Sequence, residues 1–161
     1  MLAMARTRSH SAGREVWALA RAQHGVVTRA QLLDAGLSRA AIEHRVQRGR
    51  LHCLYPAVFV VGRPELTQQG RWMAAVLACG ASAALSHTSA GELWGVIEAR
   101  GRPVHVSLPR PVDRRPVGIT THRRDRLADW VIEHDGIPVT SPSQTLIDLA
   151  TSSRPVTSRP P

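Results

Sequence analysis

Residues 27–62 read VTRAQLLDAGLSRAAIEHRVQRGRLHCLYPAVFVVG, and the punctuation of this stretch decides the fold. Thr28 followed by Gln31 is a capping box, in which each side chain satisfies a backbone N–H left orphaned at a helix start. Val27 and Leu32 occupy the flanking staple positions, and Gly36 closes a two-turn helix. The same grammar repeats at once. Leu37 precedes the N-cap Ser38, Ile42 sits where it can staple onto Leu37, and Gly49 ends the second helix. Two short helices joined through Gly36-Leu37-Ser38 predict a helix-turn-helix. Behind it, Arg50–Leu54 and Ala57–Val61 read as strands about a turn at Tyr55-Pro56, which places a hairpin where a wing belongs.

On the N-terminal side, Val16, Leu19, Ala20 and Gln23 recur at helical spacing before Gly25, which predicts an amphipathic helix over 13–24. Residues 1–12 are expected to be a flexible basic arm. On the C-terminal side, Gly62-Arg63-Pro64 breaks the pattern, and a domain boundary is expected there. A helix capped by Thr67 then carries Met73, Val76 and Leu77 and stops at Gly80, and a shorter one runs from Ser86 to Gly95. PVHVSLP at 103–109 alternates as a half-buried strand, GITTHR at 118–123 reads as another, and Asp135-Gly136 marks a hairpin. Ser141 and Gln144 form a second capping box, with Pro142 at the first helical position. The expected fold class is α+β: a winged helix-turn-helix over 13–63, a small α+β domain over 64–151, and a disordered Ser/Pro-rich tail over 152–161.

Charge divides at the same place. The chain of 161 residues has 21 Arg, no Lys and 12 acids, for a formal net charge of +9. Residues 1–63 hold ten of those Arg against Glu15, Asp34 and Glu43, whereas residues 64–161 hold eleven against nine acids. A net of +7 on the first segment and +2 on the second points to a polyanionic partner for the first, most simply nucleic acid.

Taking Ile42 and Val46 as the buried side of the second helix, 100° per residue opens Ala40, Glu43, His44, Gln47 and Arg48, with Arg39 and Arg45 flanking. Helix-turn-helix proteins read bases with the start of this helix, so Ser38, Arg39, Ala40 and Glu43 are the candidate readers. Glu43 can accept from a cytosine amino group or pair with Arg39 at i, i+4, and the pairing is the simpler expectation. His44, Gln47 and Arg48 are candidates for base or phosphate contact. Thr28 and Arg29 open the preceding helix, whose amides suit a phosphate, and Arg50 and His52 begin the wing. Arg6, Arg8 and Arg14 suit nonspecific phosphate contact, or simply solvation.

Other chemistry leaves weaker traces. The two cysteines, Cys53 and Cys79, stand far apart, which excludes a disulfide framework and a zinc ribbon. Eight histidines include no metal-binding spacing, and His87, His105, His122 and His134 fall on separate predicted elements. No catalytic residue, cofactor or metal is therefore expected. Trp17, Trp72, Trp94 and Trp130 read as core or interface anchors. No apolar run reaches membrane-spanning length and no signal peptide is legible, so the expected location is the cytoplasm.

With these motifs in place, and with MAAVLACG, LSHTSAGELWG, PVHVSLPR and GIPVTSPSQTLIDLA following in order, residues 13–151 resemble the AbiEi-type antitoxins of type IV toxin–antitoxin systems. That resemblance implies a winged domain binding DNA repeats upstream of its own operon and repressing it, followed by an antitoxin domain. It implies a nucleotidyltransferase-like toxin countered without a stable complex. Half-site logic adds a homodimer. Two departures stand out. Many relatives carry Gly-Val-Tyr where this chain has Ala57-Val58-Phe59, and many continue into a nuclease-like domain, so the chain resembles a short form. The alternative, from another functional class, is an RNA-binding or protein-interaction module whose second half carries the activity.

Overall fold

The computed structural model describes residues 2–98 and 103–152. The expected disorder of the tail concerns residues that, apart from Ser152, lie outside those described. The chain divides into two compact units, one formed by residues 1–81 with 135–137, the other by residues 82–134 with 138–161.

The first unit contains α1 (Leu2–Ala22), β1 (Val26–Thr28), α2 (Arg29–Asp34), α3 (Arg39–Gln47), β2 (Leu51–Tyr55), β3 (Val58–Val61) and α4 (Gln68–Cys79). The strands form one antiparallel sheet in the order β1-β3-β2. This is the winged helix-turn-helix. Its caps form as the sequence dictates. Thr28 Oγ1 accepts from the Gln31 amide and Gln31 Oε1 accepts from the Thr28 amide, while Ser38 Oγ accepts from the Ala41 amide. Gly36 and Gly49 both take positive φ, and the amides of Leu37 and Arg50 donate back to Leu32 and Arg45, closing both helices. Val27, Leu32, Leu37, Ile42, Leu51 and Phe59 bury together against Ala12, Val16 and Ala20 of α1.

Three boundaries differ from expectation. α1 begins at Leu2 rather than Gly13, so the segment read as a flexible arm is helical in its backbone. The wing turn falls at Pro56-Ala57, one residue later than predicted, because β2 continues through Tyr55 across a bulge. The larger difference is that α4 belongs to the first unit, which moves the boundary from residue 64 to 81/82. The reason is the all-apolar strand Val58-Phe59-Val60-Val61. Phe59 turns into the helical core, while Val58 and Val60, buried to 1% and 3% exposure, alternate onto the opposite face. α4 packs along all three strands and presents buried Trp72, Met73 and Val76. A strand buried on both faces needs that second cover.

The second unit contains β4 (Ala84–Leu85), α5 (His87–Leu93), β5 (Val104–Pro109), β6 (Ile119–Arg124), a 3₁₀ turn (Leu127–Trp130), β7 (Val131–His134), β8 (Ile137–Thr140) and α6 (Pro142–Ser152). Its sheet runs β6-β5-β4-β8-β7, with β4 antiparallel to β5 and parallel to β8, and β5 parallel to β6. Asp135 and Gly136 both have positive φ, as the β7–β8 hairpin turn requires. The tryptophans divide. Trp72 is buried and Trp94 donates from Nε1 to the Thr140 carbonyl at 3.0 Å, but Trp17 and Trp130 are 58% and 45% exposed and anchor no core.

Two outcomes follow from this packing. A fragment of residues 1–81 is expected to unfold cooperatively in urea, whereas residues 1–63, with Val58 and Val60 uncovered, will lack a sigmoidal transition by circular dichroism. At the wing tip, Ala57 is held at φ +63° while its carbonyl accepts from the Arg29 amide. A left-handed alanine costs about 1–2 kcal/mol, of which glycine's greater unfolded-state entropy returns about half. Ala57→Gly is therefore expected to stabilise the chain by about 0.5–1 kcal/mol, read as a higher urea midpoint at unchanged slope.

Candidate nucleic-acid interface and a histidine layer

α3 turns Ile42 fully inward and leaves Arg39, Ala40, Glu43, His44, Gln47 and Arg48 exposed, with the N-cap Ser38 exposed before them and Arg50 after. The buried stripe is not Ile42 with Val46, because Val46 is 37% exposed. It is Ile42 flanked by the half-buried Ala41 and Arg45, on the other side of the helical wheel. The rotation draws Arg45 inward and keeps the predicted open face open. Ala40, Ala41, His44, Arg45, Arg48 and Arg50 line a shallow depression of about 650 Å³, three of its six lining residues being arginines.

The other sequence-predicted contacts are placed differently. The Thr28 hydroxyl and amide are both engaged in the capping box, and Gln31 also exchanges two amide hydrogen bonds with Gln23 in the turn after α1, at 2.7 and 3.0 Å. Arg29 lies over the Phe59 ring, 5.3 Å from its centre. The His52 ring meets the Gly62 carbonyl at 2.9 Å, spanning the strand ends of the wing. These three side chains hold the scaffold together. Among the described residues, Arg39 and Glu43 form no ion pair with each other, contrary to the expected pairing, so both heads face solvent.

The second unit holds a feature that sequence spacing concealed. On β5, His105 and Ser107 project from the same sheet face as Thr120, His122 and Arg124 of the parallel β6, because Cα register pairs 105 with 120 and 107 with 122. His87, at the start of α5, meets them from above. Its ring stacks on His122 with centroids 3.6 Å apart, and His105 Nδ1 lies 3.0 Å from His122 Nε2. Ser86 does not cap its helix. Its hydroxyl instead bonds His87 Nδ1 at 3.0 Å and accepts from Ser107 at 2.8 Å.

α6 closes the layer. Asp148, 1% exposed, receives hydrogen bonds on Oδ1 from Arg124 Nη2 and from Gln144 Nε2. Its Oδ2 stands 3.8 Å from His87 Nδ1 and is buried without a hydrogen-bond partner, as is Arg124 Nε. Gln144, read as half of a capping box, thus serves Asp148 while Ser141 alone caps. Burial, above all, and then the neighbouring His122 push the His87 pKa down to about 4, the Asp148 carboxylate opposing them. Burial likewise lowers that of His122, reinforced by His105 and Arg124. Both rings are neutral at pH 7.

The two halves of this geometry meet known families separately. A family model described as "Transcriptional regulator, AbiEi antitoxin" matches residues 14–52, and one described as "AbiEi antitoxin C-terminal domain" matches residues 77–159, more than half of the chain. The chain belongs to the AbiEi antitoxin family. None of the curated proteins compared matches it. Among solved structures it is similar to the crystal structure of the RV2827C protein from Mycobacterium tuberculosis, at 22% identity and a TM-score of 0.49, over 88% of this chain and 60% of that one. The AbiEi regulator match runs from the C-terminal part of α1 to the start of β2, and so includes α3. The histidine layer lies wholly within the AbiEi C-terminal match.

Asp148→Ala would leave Arg124, only 24% exposed at its side chain, with its charge uncompensated. Removing one partner of a buried pair is expected to cost about 3 kcal/mol, measured as a loss of unfolding free energy in urea.

Proposed function

We propose that this AbiEi antitoxin is a non-enzymatic, cytoplasmic DNA-binding regulator that represses its own operon and counters a nucleotidyltransferase-like toxin without binding it stably, in the manner of a type IV system. The observation that carries this reading is the exposed cationic face of α3. Arg39 is exposed at its start, and Arg45, Arg48 and Arg50 line a depression with Ala40, Ala41 and His44 at its C-terminal end, on the helix that a winged fold presents to a major groove. Ser38, Arg39, Ala40 and Glu43 read base edges; His44, Gln47 and Arg48 follow the groove to phosphate. Arg50 holds backbone beside the wing. Thr28, Arg29 and His52, engaged internally, contribute by placing these groups. A homodimer on a repeated or palindromic site would supply the second recognition helix. The +7 concentrated in residues 1–63 adds a long-range attraction that falls with salt.

The test is binding of the full chain to duplex DNA from its own upstream region at about 150 mM salt. Binding at least about tenfold tighter than to a scrambled duplex is expected, with Arg39→Ala and Arg48→Ala each costing about 1–3 kcal/mol. Arg115→Ala, far from α3 in sequence and paired with Asp113, serves as the control and leaves affinity unchanged. Equal affinity of the wild-type chain for specific and scrambled duplex overturns the proposal.

A further inference from the structure

The cluster of His87, His105 and His122 is unaccounted for by DNA binding. One ring nitrogen from each residue comes within 4.8 Å of the other two, from three separate elements of the second unit. We propose that these three imidazoles form a binding site for a divalent transition-metal ion of the zinc class, with Asp148 as the adjacent carboxylate.

Four observations carry it. Three imidazoles are a donor set that zinc accepts, leaving a fourth position for water or a carboxylate oxygen. Zinc–nitrogen bonds of about 2.0–2.1 Å place tetrahedral donors roughly 3.4 Å apart, so donors already within 4.8 Å of one another draw closer and turn on binding. The site also has an orienting shell. Ser86 Oγ bonds His87 Nδ1, Ser107 supports Ser86, and Gln144 and Arg124 fix one oxygen of Asp148. The fourth observation is independent of the histidines: Asp148 Oδ2, in a side chain 1% exposed, is aimed at His87 and lacks a hydrogen-bond partner. An arriving cation would give that oxygen its counter-charge.

The alternative, a polar layer that merely packs, predicts no stoichiometric ion. The experiment uses the full chain without an affinity tag, stripped with chelator and titrated with Zn²⁺ by calorimetry at pH 7.5, and separately with Co²⁺ by visible absorption. One equivalent of zinc is expected, with a tetrahedral cobalt spectrum and a rise in Tm on zinc addition. His105→Ala and His122→Ala should each weaken zinc binding about a hundredfold or more, and Asp148→Asn about tenfold. His134→Ala, on β7 outside the cluster, should bind as wild type. Far-UV circular dichroism establishes that each variant folds, and the cobalt spectrum of the wild-type chain stands without any variant. Absence of a stoichiometric site in the wild type, or binding that survives undiminished in folded His105→Ala and His122→Ala, overturns the proposal. Neither result depends on whether the chain binds DNA.

Discussion

The first unit hangs on β3. Its four residues, Val58-Phe59-Val60-Val61, pair with β1 on one side and β2 on the other, so every strand in the sheet is registered against it. Because the pleat sends alternate side chains to opposite faces, an uninterrupted apolar run cannot leave one face to water without exposing large hydrocarbon surface. One face takes Phe59 into the core with Leu32, Ile42 and Leu51; the other lies beneath α4. Burying a Val or Phe side chain contributes roughly 1.5–3 kcal/mol, comparable to several helix caps. The position of α3 is thus secured from behind by a strand it does not itself contain. Gln31 extends this from the front, since the residue that caps α2 also exchanges two hydrogen bonds with Gln23 in the turn after α1.

Much of that arrangement is legible from residues 27–62 because its signals are local. A cap and a left-handed glycine each act within one helical turn and are observed where the spacing put them, and the staple residues Val27, Leu32, Leu37 and Ile42 all join one buried cluster. The exposed face of α3 was legible for the same reason, although the buried stripe passes through Arg45 and not Val46. A nine-residue helix offers too few turns to average out one misassigned side chain. The domain boundary was misplaced because Gly62-Arg63-Pro64 breaks secondary structure without ending a core. The signal that would have corrected it was present: an unbroken apolar strand calls for a second layer, and the next apolar helix in the chain is α4.

The histidine layer was illegible for a different reason. His87, His105 and His122 are separated along the chain by two stretches of comparable length, and they converge only once β5 and β6 pair in parallel at one particular register. A shift of one residue would turn His122 and Arg124 to the opposite face. Asp148 arrives from α6, farther still. The alternation of 103–109 did mark one face of β5 as polar, but polarity alone was read as exposure to water. Ser107 is in fact fully buried and His105 half-buried.

A buried polar layer is a poor device for stability. Taking a carboxylate and a guanidinium out of water costs several kcal/mol per ion, and well-packed hydrocarbon of equal volume often does as well or better. Here the cost is compounded, since Asp148 Oδ2 and Arg124 Nε are left without hydrogen bonds and His87 is held at φ +52°. Nor does the layer follow from the fold, because its sheet is closed by apolar residues such as Val106, Leu108 and Val139. Strain, buried groups without hydrogen bonds and three imidazoles gathered at one place are the features expected of a pre-organised binding site. The face of α3 presents its arginines to solvent while Arg124 of β6 turns onto the buried Asp148, and the same Arg-rich composition therefore serves long-range attraction in one place and local organisation of a carboxylate in the other.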